Sequence, residues 1–134
     1  GKGLPVVLPI QRRTEWEEAK AFAKAIADGI VRDHPGEYLA VMTKAKRQGR
    51  IFVDYLRNGR GATAIAPYST RAREGAPVAV PLSWEELDER LLPRMFDVRT
   101  VPARLAKLKR DPWERMGKVR QSLTAAVLRR VGLR

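Results

Sequence analysis

Residues 50–60 read RIFVDYLRNGR: one carboxylate, Asp54, set among apolar side chains and followed by Arg57 and Arg60. Asp54 is the only acid between Met42 and Arg73, a stretch that also carries Lys44, Lys46, Arg47, Arg50, Arg57, Arg60, Arg71 and Arg73. A guanidinium offers a rigid fork of donors that matches phosphate oxygens, and nearby glycines let a backbone come close to them. These residue types therefore predict a phosphate-binding surface, the plainer alternative being a solvated basic face. Asp54 has two readings beside them. It forms an ion pair with Arg57 or Arg60, or it is a ligand to a divalent cation, because phosphate chemistry sets acids beside phosphate holders. A second basic cluster between Arg99 and Arg120, including Lys107, Lys109, Arg110 and Lys118, either extends a nucleic-acid track or is a solvated face.

The totals favour a polyanionic partner. Twenty-seven Lys and Arg against fifteen Asp and Glu leave a formal charge of +12 in 134 residues, which points to nucleic acid first and an acidic membrane surface second. There is no cysteine, which excludes disulfides, thiolate zinc sites and thiol catalysis, and the single His34 excludes a multi-histidine metal cage. No uncharged apolar run is long enough to span a bilayer, so no membrane segment and a cytoplasmic address are expected. The chain opens on Gly1 rather than Met and is read as part of something longer.

Several elements are expected to position these groups. The apolar run LPVVLPI at 4–10 predicts a strand, with Pro5 and Pro9 pushing it towards an edge or its ends. Thr14, as N-cap with Glu17 three residues on, opens a helix whose Trp16, Ala19, Phe22, Ala23, Ile26 and Ile30 form an apolar stripe to lie on a sheet. RIFVDYL predicts a strand with Asp54 on the Phe52 and Leu56 face, NGRG at 58–61 a turn and ATAIAPY a returning strand, so an antiparallel hairpin is expected over 50–68. A basic loop at 69–77 follows. Ser83 and Glu86 predict a second helix stopped by Pro93, Pro102 the first turn of a third, and Asp111–Pro112 the start of a terminal helix carrying Trp113, Met116, Val119, Leu123 and Val127. The expected class is α+β, a mixed or antiparallel sheet with packed helices. It is read as one domain over 1–134: a strand plus helix at 1–41, a basic hairpin and loop at 42–82 and a helical region at 83–134.

The stretch from Arg50 to Asp88, RIFVDYLRNGRGATAIAPYSTRAREGAPVAVPLSWEELD, closely resembles the carboxy-terminal half of the polymerase domain of bacterial DNA ligase D, in the archaeo-eukaryotic primase-polymerase superfamily. The resemblance extends upstream through GKGLPVVLPI and WEEAKAFAKAIA and downstream through FDVRTVPARLAKLKRDPWERMGKVRQSL. It implies metal-dependent nucleotidyl transfer to DNA ends in non-homologous end joining, with Mn²⁺ or Mg²⁺. Asp54 then matches the third metal-binding carboxylate, Arg71 in YSTRAR an arginine on the incoming nucleoside triphosphate, and Lys2 in GKGL a basic residue of the nucleotide pocket. Two positions depart from the pattern. The family's other two metal ligands form an Asp-x-Asp motif that this sequence does not contain, and Pro5 stands where the family usually has a histidine. The resemblance therefore implies a truncated domain, inactive alone, whose partners would be DNA ends, a missing polymerase half, a ligase domain or Ku. The alternatives are a non-catalytic DNA-end or phosphate-binding module and a self-associating homodimeric remnant.

Overall fold

Helix α1, Trp16–Asp33, is the longest element and the one most firmly dictated by its sequence. Its apolar residues recur at three- and four-residue spacing, Glu17 and Glu18 favour its amino end, Arg32 its carboxyl end, and the chain turns away at His34 and Pro35. The first helical residue is Trp16, with Glu15 rather than Thr14 at the cap and no side-chain cap bond. The computed structural model describes residues 3–134, and the chain divides into two compact units, Gly1–Pro9 with Ile65–Val119, and Ile10–Ala64 with Arg120–Arg134.

In the unit formed by Ile10–Ala64 and Arg120–Arg134, α1 packs on strand β1, Tyr38–Leu39, which pairs in parallel with β2, Ile51–Phe52, in the register Tyr38 to Ile51 and Leu39 to Phe52. The connection between them contains a short 3-10 turn, Lys44–Arg47. Helix α3, Ala125–Arg130, follows Thr124, whose hydroxyl caps it by accepting the Val127 N–H at 3.3 Å. Ala27, Leu39 and Leu128 are this unit's buried apolar side chains. Arg134 joins Glu18 of α1 at 2.8 Å. Of the predicted stripe, Trp16 is 53% exposed and Ile26 42% exposed, so α1 covers only part of its apolar face.

The unit formed by Gly1–Pro9 and Ile65–Val119 is built on irregular antiparallel ladders. Thr70 bridges Val78 and Pro77 bridges Asp97, so segments 68–71, 76–79 and 96–98 lie side by side with 76–79 in the middle. Helix α2, Thr100–Lys107, has Pro102 in its first turn, where a missing N–H costs nothing. Val101 and Pro81 are buried.

The structure is α+β as expected, with less regular structure than the sequence suggests. Residues 4–8 form no strand: they are irregular, exposed and without a backbone partner among the described residues, and Pro5 has no N–H to offer one. No hairpin forms over 50–68, because the strand ends at Phe52 and the NGRG turn has no returning strand; the antiparallel pairing lies at 68–79 instead. Ser83 and Glu86 open only a 3-10 turn, Trp84–Glu86, and Pro93 starts another, Pro93–Met95. The terminal helix expected from Asp111 is replaced by turns and the 3-10 segment Met116–Lys118, and regular helix returns only at Ala125. Gly117 sits in that interval, where glycine weakens a helix by about 1 kcal/mol relative to alanine.

Candidate functional site

Beyond the Val53 N–H, which donates to the Leu39 carbonyl at 2.8 Å, the backbone leaves the ladder, and this decides where Asp54 goes. Its strand-face neighbours never form, the residue is exposed, and its Oδ1 accepts the Leu56 N–H at 3.0 Å in a local turn. Asn58 closes the next turn by donating Nδ2 to the Tyr55 carbonyl at 2.8 Å. Neither Arg57 nor Arg60 forms an ion pair with Asp54 among the described residues, so the ion-pair reading fails. The desolvation that would have required such a pair does not arise at an exposed carboxylate.

The cations of the same unit divide into two kinds. Lys44, Lys46, Arg57 and Arg60 are exposed, with no side-chain partner among the described residues. Arg47 and Arg50 engage the backbone: Arg47 Nη2 donates to the Met42 carbonyl at 2.9 Å and Arg50 Nη2 to the Lys46 carbonyl at 2.8 Å. The Arg47 guanidinium also lies over the Phe52 ring, 4.4 Å from its centroid. Four free cations and one exposed carboxylate thus share the loops that flank β2. A surface of that kind attracts a polyanion.

In the other unit Arg71 and Arg73 sit on the 68–79 hairpin, again with no side-chain partner among the described residues. The hairpin closes at Arg73–Ala76, with the Ala76 N–H donating to the Arg73 carbonyl at 2.9 Å. Gly75 at φ 80° supplies the left-handed turn, and Ala76 follows at φ 44°. Behind the hairpin, Arg104 of α2 donates Nη1 to Glu86 Oε1 and Nη2 to Glu86 Oε2 at 3.1 Å and to the Pro81 carbonyl at 3.2 Å, with its guanidinium 5.4 Å from the Phe96 ring. The Arg104 guanidinium holds the Glu86 carboxyl below the usual glutamate range. The Tyr68 hydroxyl donates to Asp111 Oδ2, while Asp111 Oδ1 accepts the Trp113 N–H at 2.7 Å. Burial first, and the Asp111 hydrogen bond second, push the Tyr68 phenol up to about 12. Sequence reasoning assigns Glu86 and Asp111 only as helix caps and gives Tyr68 and Arg104 no role.

Lys2 lies outside the described residues. Among the described residues no three Asp, Glu or His side chains come together to hold a metal ion, and one carboxylate falls short of the several oxygens that Mn²⁺ or Mg²⁺ takes. The described residues therefore do not make a divalent-cation site by themselves. No helix among them is long and apolar enough to cross a membrane.

Known proteins of similar sequence and structure place the chain in a family. Residues 1–113 match the family described as LigD, primase-polymerase domain. The chain is 45% identical over 133 residues to the multifunctional non-homologous end joining protein LigD of Pseudomonas aeruginosa, covering 98% of this chain and 16% of that protein. It is 33% identical over 107 residues to the bifunctional non-homologous end joining protein LigD of Bacillus subtilis, covering 79% of this chain and 18% of that one. Among solved structures it is similar to the polymerase domain of Mycobacterium tuberculosis ligase D in complex with DNA, with a TM-score of 0.67 and 34% identity over 77% of this chain and 35% of that chain. The chain spans less than a fifth of the length of these curated relatives.

Proposed function

Because this chain belongs to the LigD primase-polymerase family of DNA-repair, non-homologous end joining proteins, we propose that it supplies the DNA- and triphosphate-binding portion of a nucleotidyltransferase acting at DNA ends. The observation that carries this reading is the set of unpaired cations, Lys44, Lys46, Arg57 and Arg60 beside β2 and Arg71 and Arg73 on the 68–79 hairpin, with Asp54 exposed among the former. In such a transfer a primer 3′-hydroxyl attacks the α-phosphate of a nucleoside triphosphate and pyrophosphate leaves. This chain would contribute fixed positive charge: Arg71 and Lys2 on the triphosphate, and Lys44, Lys46, Arg47, Arg50, Arg57, Arg60 and Arg73 along the DNA backbone. Asp54 would give one carboxylate to an Mn²⁺ or Mg²⁺ site whose other donors the described residues do not provide. Partners consistent with this role are DNA ends, the remainder of a polymerase domain, a ligase domain and Ku, in a cytoplasmic setting.

A second reading, a DNA-end-binding module without transfer chemistry, is favoured by Pro5, which offers neither a side-chain donor nor a backbone N–H where the family usually has histidine. Anisotropy of a 5′-phosphorylated duplex, titrated with salt, tests what the two readings share. Binding should weaken steeply with salt, and Arg57→Ala with Arg60→Ala should reduce the log–log slope by about 0.9 for each phosphate left without its arginine. Salt-independent binding, or none, would dismiss both. Metal-dependent nucleotide addition by the chain together with the remaining polymerase segment, abolished in Asp54→Ala, separates the first reading from the second.

A further inference from the structure

The hairpin that carries Arg71 is anchored on both of its arms. At its base, the Tyr68 N–H donates to the Ala79 carbonyl at 2.6 Å and the Ala79 N–H to the Ser69 carbonyl at 3.1 Å; further out, the Arg71 N–H donates to the Pro77 carbonyl at 2.8 Å. The inner arm is gripped from its other side, Val78 N–H to the Phe96 carbonyl at 2.9 Å and Val98 N–H to the Ala76 carbonyl at 3.3 Å. Tyr68 itself adopts φ 63°, a left-handed conformation that costs a residue with a Cβ about 1–2 kcal/mol. Such strain persists only where the surroundings over-determine it, and it collects at ligand sites. Here the determining interaction is made by the side chain: the part-buried ring carries its hydroxyl to Asp111 Oδ2, 43 residues away in sequence, and Asp111 is in turn fixed by the Trp113 N–H. The guanidinium three residues beyond Tyr68 has no side-chain partner among the described residues.

We propose that the Tyr68–Asp111 pair is a strut that sets the position of Arg71 for the oxygens of a polyphosphate chain. Tyr68 is a positioning residue: its hydroxyl is committed to Asp111, and its backbone turns the chain so that the outer arm of the hairpin presents Arg71. Phenylalanine could fill the ring's volume but could not make the tether, and glycine could adopt the turn but would leave it unanchored. A fixed guanidinium loses less conformational freedom when it meets an anion than a mobile one, which converts a local tether into affinity. The Tyr68 phenol stays protonated throughout the neutral range and so remains a donor. The inference deepens the proposed role of Arg71 and rests on it.

The test uses the whole chain and inorganic tripolyphosphate at near-physiological salt, with binding followed by calorimetry, amide hydrogen exchange by NMR, and thermal unfolding measured beside them. Tyr68→Phe and Asp111→Ala should each speed exchange of the Arg71 amide about tenfold and weaken tripolyphosphate about fivefold, with the amides of α2 unchanged. Asp111→Asn can still accept the Trp113 N–H on its amide oxygen while its Nδ2 donates to the Tyr68 hydroxyl oxygen, and should restore most of both. Uniformly faster exchange across 65–119 with an equal fall in thermal stability would reduce the pair to a plain structural contact and overturn the proposal. Unchanged Arg71 exchange with binding intact in Tyr68→Phe would overturn the strut alone. Equal binding by the wild type and Arg71→Ala would overturn the phosphate role of Arg71 itself, and the strut's function with it.

Discussion

The Arg47 guanidinium lies over Phe52, the last residue of β2, 4.4 Å from the ring centroid, while its Nη2 donates to the Met42 carbonyl at the other end of the connection. One side chain thus ties both ends of the basic connection to the strand it feeds. Lysine cannot reproduce the planar stack and the carbonyl bond together. Arg47→Lys is therefore expected to lower unfolding free energy by about 1 kcal/mol, read from urea unfolding. Its salt slope on duplex DNA should stay close to the wild type's, whereas Lys44→Ala with Lys46→Ala should lower the slope and leave stability in place.

The Glu86–Arg104 pair sets an acid limit. Glu86 titrates below its ordinary value of 4.5, chiefly because Arg104 hydrogen-bonds its charged form. A depressed carboxyl contributes stability that is complete above the unfolded value and disappears as the pH falls through the folded one. Thermal stability should therefore decline below about pH 4.5, through protonation of Glu86. Glu86→Gln should cost about 2 kcal/mol at pH 7 and shrink its own deficit relative to the wild type as the pH is lowered.

Tyr68 sets an opposite, alkaline signature. Its phenol is raised from 10.0 to about 12, so folding favours the neutral form; this contribution is complete below pH 10 and disappears as the pH rises through 12. Tyr68 should give a phenolate absorbance step near pH 12, and Tyr68→Phe should delete that step. Survival of a step of the same size in the variant would contradict the assignment.

The segment 4–8, which forms no strand, exposes Leu4, Val6, Val7 and Leu8 at 56, 75, 47 and 53%. Unpaired apolar backbone of this kind is a template for intermolecular pairing. Light scattering is expected to give a mass above 15.1 kDa that rises with concentration, and Val6→Lys to bring it down. A concentration-independent monomer before the substitution would refute this.

Sequence is legible here where a single element can be read by itself. Helix α1 announces itself because eighteen residues repeat one apolar period, and α2 because Pro102 needs a first turn. The family resemblance is likewise carried by a contiguous stretch. What cannot be read depends on partners distant in sequence. NGRG has the chemistry of a hairpin turn, yet a hairpin also needs a returning strand, and ATAIAPY does not return. The turn that does close a ladder has Ala76 at φ 44°, a conformation alanine gives no hint of. Asp111 reads as a cap, and one of its oxygens does accept the Trp113 N–H; the other meets Tyr68, a pairing that no local pattern encodes. Residue type alone picks out the basic side chains, but only the structure separates Arg57 and Arg60 from Arg47 and Arg50, each of which gives one guanidinium donor to a backbone carbonyl.

The parallel pairing of β1 with β2 has a consequence for how the basic surface can change. Parallel neighbours cannot be joined by a tight turn; the chain must travel back the length of the strand before it can run alongside again. Residues 40–50 are that return path, and Lys44, Lys46, Arg47 and Arg50 all lie on it. The charge of this connection can therefore be altered residue by residue but not by shortening it, because a deletion that removed the lysines would also separate the two strands.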